Sequence, residues 1–113
     1  MGTDKHALYL EELSSHRNLR KIGENKRKTK VIFYEPVWLF DGRQAEAPDM
    51  LLERVSGTWV VIELKGSKKK REKAKSQIAS GKQLLHRIFG IPLNKIIGKM
   101  VFYSKAGYKY ETC

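Results

Sequence analysis

Three residues near the middle of the chain have the types and spacing for catalysis: Asp49, preceded by Pro48, and, after thirteen intervening residues, Glu63 and Lys65. Glu63-Leu64-Lys65 ends the hydrophobic run Val60-Val61-Ile62, and residues two apart on a strand share one face. Charged groups are rarely kept at the end of a buried strand without a partner. Two carboxylates beside an ammonium suit a hard divalent ion and a phosphate, because Mg2+ takes oxygen ligands while keeping several waters, and the amine orients or activates the attacking one. The reaction this set points to is phosphodiester hydrolysis. Acid-x-Lys spacing carries little alone, since Glu24-Asn25-Lys26 has it too. That triplet lies in a polar stretch, whereas Glu63-Leu64-Lys65 closes a hydrophobic strand and follows a Pro-Asp on a neighbouring one. The bland alternative is a frayed strand end with a surface ion pair.

The chemistry requires a particular strand register. If Ser56-Gly57 formed a two-residue turn, Val55 would pair with Thr58, and Asp49 would lie opposite Leu64, facing away from Glu63. A three-residue loop, Val55-Ser56-Gly57, with Gly57 in the left-handed region and a bulge, pairs Arg54 with Thr58 and sets Asp49 opposite Glu63.

The elements that must hold these residues follow from periodicity. His6 to about Arg20 contains helix formers and no Gly or Pro, with Asp4 as a candidate N-cap, and predicts a first helix. Gly23 to Thr29 is charged and aperiodic, an expected exposed loop. Val31 to Phe40 predicts a strand or strand pair covered on both faces and broken or moved to an edge by Pro36. Asp41-Gly42 is a turn signal. Met50–Arg54 and Thr58–Lys65 predict two more strands. After Gly66, a stripe of Ala74, Ile78, Gly81, Leu85, Ile88 and Phe89 predicts an amphipathic helix ending at Gly90, with Pro92 beyond it. Ile96 to Ser104 predicts a strand parallel to the Thr58–Lys65 strand through a right-handed crossover, and Tyr108 to Glu111 a short last one. The expected class is α/β, an αβββαβ order with a mixed central sheet flanked by helices.

The chain has 113 residues, enough for one domain spanning 1–113. Lys and Arg number 23 against 12 Asp and Glu, a formal charge of +11, which points to a polyanionic partner. Five of the basic residues fall between Lys21 and Lys30 and seven between Lys65 and Lys75. Lys26, Arg27 and Lys28 in the first run and Lys68, Lys69, Lys70, Arg71 and Lys73 in the second are candidates for backbone phosphates, where each contact releases counterions without reading sequence. One cysteine, Cys113, excludes a disulfide scaffold or a cysteine-rich zinc site. No apolar run is long enough to span a membrane, and the first residues lack the hydrophobic run of a signal peptide. A cytoplasmic setting is expected.

Pro48-Asp49 followed by Glu63-Leu64-Lys65, in an αβββαβ order over about Leu8 to Ser104, resembles the PD-(D/E)xK nuclease superfamily. In size and layout the chain resembles the small archaeal Holliday junction resolvases and related small nucleases within it, although similar motifs also occur in restriction enzymes, transposon ends and repair exonucleases. The resemblance implies a restriction-endonuclease-like core and a metal-dependent DNA endonuclease, with Asp49 and Glu63 as ligands of Mg2+, for which Mn2+ substitutes, and Lys65 as the catalytic lysine. Such families often add a first-helix glutamate, for which Glu11 and Glu12 are the candidates and Glu12 is slightly favoured. Some carry a glutamine on the helix after the lysine strand, and Gln77, at the edge of the Ala74–Ile78–Gly81 stripe, matches better than Gln83. A chain this small would cut both strands of a duplex or junction most simply as a homodimer.

His6, His16 and His86 form no metal signature and read as surface residues. His16 would approach the site only alongside Glu12, one helical turn away. Among the aromatics, Tyr108 and Tyr110, near Lys105 and Lys109, are the expected exposed pair, available to stack on bases. Two rivals remain: a basic nucleic-acid-binding module without catalysis, which leaves Asp49 and Glu63 unexplained, and a nuclease-fold subunit that depends on a larger partner.

Overall fold

The computed structural model describes residues 5–34, 38–40, 43–45 and 48–113. Asp4, Pro36 and Asp41-Gly42 lie outside them. Helix α1, Lys5–Leu13, buries Leu10 and Leu13. It stops short of Arg20 because Ser14 and Ser15 interrupt it: the Ser14 hydroxyl donates to Glu11 O (2.6 Å) and the Ser15 amide to Glu12 O. Serine competes with the helix backbone in this way. A 3-10 helix, His16–Ile22, continues the chain and buries Leu19 and Ile22.

Strand β1 is Thr29–Tyr34. Trp38–Phe40 (β2) and Arg43–Ala45 (β3) form a separate antiparallel pair, so the long run ending at Phe40 divides between two sheets. Strands β4 (Met50–Arg54) and β5 (Trp59–Lys65) lead into helix α2 (Arg71–Phe89), then β6 (Ile96–Ser104) and β7 (Gly107–Thr112). The main sheet has the order β1-β4-β5-β6-β7. Every neighbouring pair is antiparallel except β5 and β6, which run parallel through α2 as the crossover requires. The class is therefore mixed α/β, a five-stranded mixed sheet flanked by helices.

The central strand is covered on both faces. On one, Leu10, Leu13, Leu19 and Ile22 pack against Met50, Leu52, Val60, Ile62, Leu64 and Val101. On the other, Ala74, Ile78 and Leu85 of α2 pack against Leu51, Val61, Met100 and Phe102. The α2 stripe is buried as its period predicts, except at its end, where Ile88 is half-buried and Phe89 exposed. Helix and sheet approach closely at Gly98, where an added Cβ would lie 2.3 Å from Ile78 Cγ2 and 2.9 Å from Cys113 O.

Candidate functional site: a carboxylate pair at the end of the central strand

The β4–β5 hairpin adopts the three-residue loop. The Arg54 amide donates to Thr58 O and the Gly57 amide to Arg54 O, both at 2.9 Å, and Gly57 has φ +93. The register runs Glu53↔Trp59, Leu52↔Val60, Leu51↔Val61 and Met50↔Ile62, where the ladder ends; Asp49 lies in the bend just before β4, and its side chain hydrogen-bonds the Glu63 carboxyl. Glu63 and Lys65 alternate with Leu64 and so belong with Val61 to the face that α2 covers, at the end of the sheet away from the hairpin, and the Asp49 carboxyl meets Glu63 at that strand end.

Pro48 has a structural part in this arrangement. Hydrogen-bonded pairs alternate along an antiparallel ladder, so the pair after Met50/Ile62 would be Pro48/Leu64, where proline has no amide to give. Side chains meet the Leu64 backbone instead. Asp49 Oδ2 accepts from the Leu64 amide at 2.8 Å, and His6 Nε2, from the first turn of α1, lies 3.1 Å from Leu64 O and 3.2 Å from Asp49 Oδ2. With acceptors on both sides, Nε2 carries the hydrogen and donates. Tyr103 abuts the imidazole edge-on, with ring centroids 6.3 Å apart.

Glu63 is 2% exposed. Burial first, and then the charge and hydrogen bond of Asp49, push its carboxyl from 4.5 up to about 9, with Lys65 and the Asp49 amide pulling the other way. Without a cation between them, the two acids share a site that tolerates one negative charge far better than two. Lys65 is half-buried at the strand end, paired in register with Phe102 of β6.

The first-helix acids make other contacts. Glu12 is exposed and bound by Lys21 (2.7 Å), which holds its carboxyl below the usual range. It lines a hollow with Tyr9, Ser104 and Tyr108. The α1 side chain that meets Asp49 is His6, so the reading of His6 as a surface residue is corrected. Glu11 and His16 are exposed, and His16 lies beyond the end of α1. Gln77 is half-buried beside the α2 stripe.

The two basic runs occupy opposite ends of the sheet. Lys68, Lys69, Lys70, Arg71 and Lys73 follow directly on Lys65, on a 3-10 turn and the start of α2, and Arg71 pairs with Glu111 at 3.1 Å. Lys26, Arg27 and Lys28 form a 3-10 turn before β1, whose Thr29 pairs with Arg54 at the hairpin end. The expected loop between Gly23 and Thr29 is partly interior, since both Glu24 and Thr29 are buried. Of the expected exposed tyrosines, Tyr110 is exposed, whereas Tyr108 is half-buried with its ring edge against Tyr9.

Glu24 holds the interior. Its carboxylate accepts from Arg54 Nε (3.0 Å) and Nη2 (2.8 Å) and from Lys99 Nζ, which also donates to Ile22 O at 2.8 Å. A lysine in the middle of the apolar run Ile96–Ser104 was the signal that a buried acid had to exist. For His6 the signal was its place at i, i+4 and i+7 with Leu10 and Leu13, on the buried stripe of α1.

Among the described residues no group of three or more His, Cys, Asp and Glu side chains is arranged around a common metal position, so the donor set offered is the carboxylate pair. No described helix is long and apolar enough to cross a membrane. Comparison of the chain with protein-family models, with curated proteins and with solved structures finds no match.

Proposed function

We propose that the protein is a metal-dependent DNA endonuclease of the PD-(D/E)xK kind. The observation that supports this reading is the hydrogen-bonded contact between the Asp49 and Glu63 carboxyls, with Lys65 two residues beyond Glu63 on the same strand. The residues fit a divalent ion by the chemistry of the donor set: hard oxygen donors from two adjoining acids, one of them pushed toward its protonated form by burial and by the other's charge. Asp49 and Glu63 would hold Mg2+, or Mn2+ in its place. Bound there, the ion would supply Lewis-acid stabilisation of phosphoryl charge and lower the pKa of a coordinated water. Asp49 is oriented by the Leu64 amide and His6, Lys65 would orient the attacking water, and Lys68 to Lys73, which follow β5 in the chain, would grip backbone phosphates.

A two-fold dimer would present two such centres to a duplex or a four-way junction, and backbone shape rather than base contacts would govern the choice. A basic binding module explains the charge equally well, but the Asp49–Glu63 acid pair would lower its phosphate affinity. The test is incubation of labelled four-way junction, linear duplex and single-stranded DNA with Mg2+ or Mn2+ and with EDTA. Metal-dependent cutting of one form over the others is the expected result. Tight, salt-sensitive binding with no cutting of any form would replace the nuclease reading with the binding-module one.

A further inference from the structure

At the hairpin end of the sheet two hollows adjoin. One, of about 430 Å³, is lined by Arg17, Arg20 and Lys26, and the other, of about 620 Å³, by Lys28 and Arg54, with Glu24 and Asn25 as the shared wall. Glu24 is the acid in that wall, and it is spent: it is 6% exposed, with its carboxylate committed inward to Arg54 and Lys99. Among the described residues, no carboxylate pairs with Arg17, Arg20, Lys26 or Lys28. Four cations, none of them paired with a carboxylate among the described residues, thus line two adjoining hollows.

This surface is remote from the carboxylate pair. Trp59 and Glu63 are four residues apart on β5, about 13 Å at the usual rise, with the hairpin loop beyond Trp59. Lys99, which Glu24 binds, pairs in register with Ile62 and so belongs to the α1 face, whereas Glu63 belongs to the α2 face. No single phosphate can touch both.

We propose that this double hollow is a second binding site for a sugar-phosphate backbone, separate from the Asp49–Glu63 centre. The inference rests on the nucleic-acid reading above but not on catalysis. Planar guanidinium forks at Arg17 and Arg20 suit phosphate oxygens bidentately, and a run of unpaired cations suits a ligand whose negative charge repeats along its length.

The experiment is fluorescence anisotropy of labelled duplex and single-stranded DNA in EDTA, across a salt series. Wild type is compared with Arg17→Ala/Arg20→Ala and with a control of equal charge change, Arg87→Ala/Lys95→Ala. All four side chains belong to exposed residues, and thermal melting checks that both variants fold. The hollow pair is expected to make the plot of log affinity against log salt shallower by about two, at roughly 0.9 per lost duplex contact, and the control by less than about half a unit. Equal losses in both variants would overturn the proposal in favour of a diffuse charge effect. So would an unchanged slope in the hollow pair, a loss seen on anionic phospholipid vesicles but not on DNA, or wild type that binds no nucleic acid. Because cutting is blocked throughout, an inactive nuclease centre would leave this result standing, so the two readings fail separately.

Discussion

Glu63 and Glu24 are both buried acids, yet their environments drive them in opposite directions. For Glu24 burial opposes the charge, but hydrogen bonds from Arg54 and Lys99 outweigh it and keep the carboxyl below its usual range; its contribution is present above the unfolded value and is lost as pH falls through the folded one. Glu63 is raised to about 9. Between 4.5 and 9 the folded chain therefore holds a proton that the unfolded chain has released, and stability falls as pH rises across that window. In metal-free buffer Glu63→Gln is expected to melt higher than wild type at about pH 8 and about equally at about pH 4, read by circular dichroism; parallel curves for the two proteins would contradict the shared-proton description. His6 is the residue that sequence reasoning set aside, because three scattered histidines carry no metal spacing. Its role arises from the missing Pro48 amide, a consequence of pairing that the order of residues does not display. His6→Ala removes one of the groups that orient the Asp49 carboxylate and is expected to lower cleavage by about tenfold or more, as loss of an orienting partner does, while His6→Asn, keeping a side-chain donor, recovers part of it.

At the scale of elements, one glycine decides where the carboxylates meet. Gly57 at φ +93 closes the three-residue loop, and an L side chain there is strained although the space around it is open. Gly57→Ala is expected to cost about 1–2 kcal/mol in chemical denaturation, and a neutral result would mean that the loop does not depend on that conformation. Gly98→Ala would place a methyl against Ile78 and the Cys113 carbonyl and is expected to cost about 1–3 kcal/mol by overpacking. The hairpin, α2 and the parallel β5–β6 pair were legible in the sequence because each has a strong local signature: a Ser-Gly pair between strand runs, a 3.6-residue stripe, a Gly-then-Pro stop. The end of α1 was less legible, since Leu19 continues the apolar spacing while Ser14 and Ser15 break the hydrogen bonding beneath it. The division of the run from Val31 to Phe40 between two sheets is likewise a tertiary matter, as strand propensity alone does not say which neighbour a strand pairs with.

At the scale of the whole molecule, the two basic runs lie at two ends of one sheet. The sequence placed both basic runs beside strands but could not say at which ends, because that follows from β1 lying antiparallel to β4 and from α2 starting where β5 finishes. Among the described residues Lys68, Lys69 and Lys70 pair with no carboxylate. Their triple replacement by alanine is expected to weaken duplex binding and to reduce the salt slope by about three, and an unchanged slope in the anisotropy titration would remove that run from the interface. The most direct test of the central claim is single-turnover cleavage of the DNA form that wild type prefers, with Mg2+ or Mn2+, comparing wild type, Asp49→Asn and Lys65→Ala while binding is followed in parallel. The account predicts that cutting falls by about a hundredfold or more in both variants with binding retained; undiminished cutting in either would contradict the assignment of the catalytic centre to these residues.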